Sequence, residues 1–143
     1  MTNNNIAEQI NQTIEDIWML LEQTERAYMS VTLNNQQHVL LTLIIRHPSS
    51  SPTELAEKMN ITKSAVSQQL AKLEKEGYIM RKPHAEDKRT ISIELDDKGR
   101  LYKEKMDIFR QHVAEKYQAH LSPAELANML SVLQKLQALL EKQ

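Results

Sequence analysis

The chain of 143 residues contains no cysteine. Disulfides, thiolate metal sites and thiol redox sensing are thereby excluded. Only two glycines occur, which leaves little room for phosphate-cradling loops or tight β-turns. One Phe and one Trp leave Leu, Ile, Val and seven Met to fill a core. No apolar run is long enough to span a membrane, and the opening MTNNNIAEQI has neither a basic nor an apolar leader segment. A cytoplasmic protein without a membrane partner is expected. Catalytic signatures are missing too: no H-E-x-x-H, no P-loop, no nucleophile motif and no convergent carboxylate pair. The chain is therefore not expected to be an enzyme or to carry a cofactor.

The length fits one domain, alone or with helical extensions. A net charge of −1 argues at first against a polyanionic partner, but the charge is segregated. Residues 1–57 hold two basic and seven acidic side chains, residues 58–105 twelve basic and eight acidic, and residues 106–143 four of each. Segregation of this kind, not net charge, builds a local field that attracts phosphate.

Most of the chain is patterned as helix. Ile6, Ile10, Ile14, Ile17 and Leu21 recur at three- and four-residue spacing, which predicts an amphipathic helix from about Ile6 to about Ser30. After TLNN a second helix is expected, capped by Asn34 or Asn35, with Val39, Leu40, Leu43 and Ile44 buried. It should stop before Pro48, because proline pushes its predecessor out of helical geometry. SPTE, starting at Ser51, reads as cap, first-position proline and capping-box glutamate. SPAE, starting at Ser122, repeats the device for a final helix with Leu126, Met129, Leu130, Leu133, Leu136 and Leu140 in one stripe. Asp96 is the expected cap of a long helix reaching about His120. The first and last helices either complete one core or, being too long and too apolar to be covered within the chain, pair with a second copy across a twofold axis.

Residues 51–76 form a helix-turn-helix pattern. Two turns of helix are followed by a break at Asn60 to Thr62 and a second helix from about Lys63 to Glu76, closed by Gly77. Small Ala56 marks the crossing point, and Leu55, Met59, Ile61, Val66, Leu70 and Leu73 face inward. The outward side carries Lys63, Ser64, Ser67, Gln68 and Lys72, with no acid before Glu74. An ordinary solvated face usually mixes in acids for i,i+4 pairing. An acid-free one can lie in a major groove, where Gln reads adenine, Ser either partner, and Lys guanine or phosphate. Thr62 is the expected cap, leaving helix N–H groups to face a phosphate.

Tyr78 to Lys82 and Thr90 to Leu95 read as two antiparallel strands, with Ile91, Ile93 and Leu95 buried. Their connection, Pro83 to Arg89, exceeds the usual two to five residues of a hairpin and is crowded with Lys82, His84, Glu86, Asp87, Lys88 and Arg89 around it. Such a tip is either a solvated hairpin or a binding device. Directly after a helix-turn-helix, the hairpin makes a winged helix, and if the second helix lies in a major groove the tip reaches the flanking minor groove. Arg89 is the candidate to enter it, with Asp87 placed to hold the guanidinium.

The stretch ELAEKMNITKSAVSQQLAKLEKEGYIMRKPHAEDKRTISIELDDKGR resembles the MarR family of bacterial transcriptional regulators, and the resemblance runs from about Ile6 to Gln143. It includes the wing's Asp-x-Arg, here Asp87-Lys88-Arg89, and the L-x-x-x-G that opens the following helix, Leu95 to Gly99. The resemblance implies a mainly α fold with a small β-hairpin, a single MarR-type domain over 1–143. A winged helix-turn-helix DNA-binding lobe would occupy 32–96, with the helix-turn-helix at about 51–76 and the wing at about 78–95. Dimerisation helices from both termini would occupy 6–30 and 97–143. It further implies a homodimer on a pseudo-palindromic operator in double-stranded DNA, usually a repressor released by a small lipophilic or phenolic ligand, with Arg89 in the minor groove oriented by Asp87.

The expected DNA contacts are thus Thr62, Lys63, Ser64, Ser67, Gln68, Lys72, Lys82, His84, Asp87, Lys88 and Arg89. No short motif marks a ligand cleft. Zinc-sensing relatives use His and Glu ligands, but no His-x3-His pair exists here, so no metal site is expected and His38 reads as a helix-surface or pocket-wall residue. A winged-helix protein–protein module without a DNA role, and less readily a metal-responsive regulator, are the alternatives.

Overall fold

The computed structural model describes residues 3–29, 33–83 and 91–142. Their elements run α1 (Asn3–Met29), α2 (Asn35–Arg46), α3 (Pro52–Met59), α4 (Lys63–Lys75), β1 (Ile79–Pro83), β2 (Ile91–Leu95), α5 (Asp97–His120) and α6 (Pro123–Glu141). This is a mainly α fold with one small antiparallel hairpin. Two compact units are distinguished, Met1–Met106 and Asp107–Gln143, and the boundary falls within α5.

In the first unit, local chemistry sets the helix ends. Asn34 caps α2 through a full capping box: its side chain accepts from Gln37 N at 2.9 Å, and Gln37 Oε1 accepts from Asn34 N at 3.1 Å. That box turns Gln37 inward and sets the buried stripe at Gln37, Leu40, Leu41 and Ile44. The expected burial of Val39 is corrected, since it is 45% exposed, and Leu43 is only partly buried. Helix α2 ends at Arg46, two residues ahead of Pro48.

Ser51 caps α3, accepting from Glu54 N at 3.1 Å, with Pro52 in the first position. The reciprocal half of the expected box is not made: the Glu54 carboxylate accepts instead from the Ser51 hydroxyl at 3.2 Å.

Both exits from the helix-turn-helix are Schellman closures. After α3, Asn60 takes the left-handed conformation at φ 54°. Ile61 N then donates to Ala56 O and Asn60 N to Glu57 O. After α4, Gly77 plays the same part at φ 86°, with Tyr78 N donating to Leu73 O and Gly77 N to Glu74 O. These bonds satisfy terminal carbonyls and fix the directions in which α4 enters and β1 leaves.

The hairpin pairs Ile79 with Leu95, Arg81 with Ile93 and Pro83 with Ile91. Its base is buried through Ile79 and Ile93, whereas Ile91, expected inside, is 48% exposed because it lies beyond the edge of the core. Helix α5 starts one residue past Asp96 and crosses the hairpin base at Gly99. A Cβ on Gly99 would overlap the carbonyl oxygen of Tyr78 and stand 3.1 Å from a Leu95 methyl, so only glycine lets the two backbones approach. Asp96 N donates to that same Tyr78 carbonyl at 2.9 Å. The core joins Met29, Leu40, Leu41, Ile44, Leu55, Ala56, Val66, Leu70, Leu73, Tyr78, Ile79, Ile93, Tyr102 and Met106, with Met59, Ile61 and Leu95 packed at its margin.

In the second unit, Ser122 caps α6 through a complete capping box with Glu125. No residue of α6 is buried. Leu126 and Leu136 are half-buried, while Met129, Leu130, Leu133 and Leu140 stand exposed. No helix among the described residues is long and apolar enough to cross a membrane.

Candidate nucleic-acid interface

Helix α4 is amphipathic in the strict sense. Val66, Leu70 and Leu73 are fully buried, which turns Lys63, Ser64, Ser67, Gln68 and Lys72 to solvent, all of them exposed. Thr62 caps the helix by accepting from Ala65 N at 3.0 Å. The first-turn N–H groups of Lys63 and Ser64 remain outside the intrahelical ladder, at the positive end of the helix dipole. No ion pair among the described residues engages Lys63 or Lys72. The face therefore presents two uncommitted cations, two hydroxyls and a primary amide on a rigid helix.

Rigidity comes from both sides of α4. Gln69 Nε2 donates to Gln36 Oε1 on α2 at 3.0 Å. At the other end Glu74, the first acid of the helix, is fully engaged by Arg81 of β1. Arg81 N donates to Oε2 at 3.1 Å, and its Nη2 and Nε donate to Oε1 at 3.1 and 3.4 Å. The bonds from the guanidinium hold the Glu74 carboxyl below its ordinary value of 4.5.

Of the expected wing residues, Lys82 is exposed and paired with Glu94 Oε2 across the strands at 3.4 Å. His84, Asp87, Lys88 and Arg89 lie outside the described residues, as does the rest of the tip. The structure thus brings Thr62, Lys63, Ser64, Ser67, Gln68 and Lys72 onto one helix face and puts Lys82 on the adjacent strand.

Sequence reasoning missed the Gln36–Gln69 contact and two further junctions. One is the Glu74–Arg81 pair. The other surrounds His38, whose Nδ1 is hydrogen-bonded to the Tyr102 hydroxyl and whose Nε2 lies 3.9 Å from Glu25 Oε1. Burial, reinforced by the Glu25 carboxylate, pushes the Tyr102 phenol well above its usual range, so it stays protonated beside His38. Tyr102 also stacks edge-on against Tyr78. His38 is therefore half-buried and links α1, α2 and α5. Partners 64 residues apart leave no periodic trace in a sequence. Among the described residues no group of three or more His, Cys, Asp or Glu is arranged to hold a metal ion.

Comparison with known proteins agrees with this geometry. Residues 33–91 match the family model described as MarR family. YwhA of Bacillus subtilis, an HTH-type transcriptional regulator, is 30% identical over 115 residues, covering 80% of this chain and 83% of YwhA. The HTH-type transcriptional repressor YetL of the same organism is 48% identical over 50 residues, which cover 35% of this chain and 30% of YetL. Among solved structures, Streptococcus pneumoniae FabT in complex with DNA superposes with a TM-score of 0.80 at 25% identity, covering 95% of this chain and 98% of FabT. With the helix-turn-helix, the hairpin and a relative matched over most of its length, the chain belongs to the MarR family of winged-helix transcriptional regulators.

Proposed function

We propose that this chain binds double-stranded DNA sequence-specifically as a homodimer on a pseudo-palindromic operator, acts as a repressor in the cytoplasm, and is released by a small lipophilic or phenolic ligand. The observation that carries the DNA reading is the outward face of α4, acid-free from Lys63 to Lys72 and held rigid by Gln36 and Arg81. In this reading Ser64, Ser67 and Gln68 meet base edges, Lys63, Lys72 and Lys82 meet phosphates, and the Thr62-capped helix end receives a backbone phosphate. The wing-tip residues His84, Asp87, Lys88 and Arg89 extend the contact toward the minor groove, Arg89 entering it and Asp87 orienting its guanidinium. FabT was solved on DNA and YetL is named a repressor, which supports the same assignment here.

The dimer reading rests on the exposed apolar stripes of α1 and α6. Ile6, Ile10, Ile14 and Ile17 share one side of α1 and are each 37–53% exposed. Soluble monomers rarely leave such continuous stripes uncovered, and a self-complementary one closes a twofold dimer. The deciding experiment is a salt titration of binding to the region upstream of the chain's own gene. Affinity should fall by about three decades between 50 and 200 mM salt, as counterions released from roughly six or more phosphates compete back. A flat salt response would sink the proposal.

A further inference from the structure

The hairpin is a two-stranded ribbon, an element that is marginal by itself and variable in twist. Its base is fastened by core contacts of Ile79 and Ile93, but these lie at the foot of the strands. Beyond Arg81 and its cross-strand partner Ile93, every described residue of β1 stands exposed: Lys82 and Pro83, opposite Ser92 and Ile91. Each further residue carries the strands about 3.3 Å outward. Arg81 is therefore the outermost point at which β1 is tied to the body of the lobe, and its tie is to Glu74 of α4. That tie is three hydrogen bonds, one from the backbone and two from the guanidinium.

Glu74 also sits on the reading helix itself. At 100° per residue it falls within about 20° of Lys63 and Ser67 in projection, at the edge of the outward face where that face meets the buried Leu70. An uncompensated carboxylate there would repel a phosphate backbone. Helix α4 needs no acid at that position for folding, since the residue is part-exposed and its neighbours Leu70 and Leu73 supply the packing.

We infer that Glu74 and Arg81 are positioning residues for DNA recognition, a brace that sets the angle between the wing and the recognition helix so that one protomer engages two grooves at once. The inference rests on the DNA-binding reading above and adds to it residues that touch no base. A rigid brace matters because a wing free to swing must be ordered at the moment of binding, and that ordering is subtracted from affinity.

Sign separates this role from simple electrostatics. Glu74→Gln removes a negative charge from the DNA-facing side, which by Coulomb's law alone tightens binding. A lost brace weakens it instead. The test measures Glu74→Gln, Arg81→Met and the double variant on a duplex enriched by the unmodified protein from a random-sequence pool, with hydroxyl-radical footprints and the folded fraction by circular dichroism.

The brace predicts that Glu74→Gln weakens binding by about tenfold and strips protection from the flanks of the half-site while its centre stays protected. The double variant should be no weaker than Arg81→Met, because the second change removes a contact already lost. Binding by Glu74→Gln that is equal or tighter, with flanks intact, overturns the inference. So does a uniform loss of protection in proportion to unfolded protein, which would make the pair purely structural. An unmodified protein that enriches no duplex overturns the DNA reading itself, and the brace with it.

Discussion

In the first unit Leu40, Leu41, Leu55, Leu70 and Leu73 expose no surface, whereas α6 exposes Leu130, Leu133, Leu139 and Leu140 by 46–68%. The residue type is the same and the helices are both well capped, so propensity does not separate them. What separates them is company. Helices α2, α3 and α4 find one another and the hairpin within about 60 residues of chain, and each buries a narrow stripe. Helix α6 carries a wider stripe, of which Leu126 and Leu136 are half-buried and no residue is fully buried within one chain. Leucine at this density without a covering surface is rare on a soluble monomer, and the proposed second copy would supply the cover.

The largest expected effect tests the buried half. Leu70→Ala removes a side chain with no exposed surface from the middle of α4, where Val66 and Leu73 leave little freedom to collapse. The cost should be about 2–5 kcal/mol, read as a fall in the denaturant midpoint at unchanged slope. Leu130→Ala in α6 should cost far less than Leu70→Ala, and should instead raise the concentration at which the proposed dimer dissociates. Equal, concentration-independent losses at both sites would erase the distinction between the two regions.

The exposed half is tested next by Leu130→Asp combined with Leu133→Asp. Two carboxylates in the α6 stripe should lower the sedimenting mass from dimer to monomer while helical content by circular dichroism is kept. At a fixed protein concentration DNA affinity should fall by about a hundredfold or more, because a lone lobe loses the second, linked half-site. An unchanged mass would remove α6 from the interface and leave α1 to carry it.

How much of this was legible follows the same line between local and distant causes. Caps at Ser51, Thr62 and Ser122 are read directly, because each needs only a side chain and an N–H three residues on, and the structure settles the choice between Asn34 and Asn35 on Asn34. The turn at Asn60 and the stop at Gly77 follow from which residues tolerate a left-handed backbone. The buried side of α2 was misassigned because HVLLTLII is apolar nearly all round. There the inward turn of Gln37, a polar residue, decided between Val39 and Leu41. Ile91 alternates correctly with Ile93 but projects past the core, and periodicity says nothing about where a core ends. The Glu74–Arg81, Gln36–Gln69 and His38–Tyr102 contacts join separate elements, and no spacing rule reaches across them. The wing-tip assignments at His84, Asp87, Lys88 and Arg89 fall outside the described residues.

The smallest effects come from titration, and they restate the contrast between buried and part-exposed within the first unit. Tyr102 is buried and its phenol is raised above the ordinary 10.0. A raised group contributes stability that is complete below the unfolded value and is lost as pH rises through the folded one. The thermal midpoint should therefore fall on an alkaline limb above about pH 10, and Tyr102→Phe should flatten that limb while costing about 1 kcal/mol at neutral pH for the bond to His38. Glu74 shifts the other way. Its carboxyl is lowered from 4.5 by the Arg81 bonds, so its contribution is present above that value and is lost as pH falls through the folded one. Glu74→Gln should flatten the acid limb below about pH 4.5, by less than Tyr102→Phe flattens the alkaline one, because solvent screens a side chain exposed by 39%. An acid limb that Glu74→Gln leaves unchanged would show that the Arg81 bonds do not lower this carboxyl in the folded protein, and would overturn the prediction.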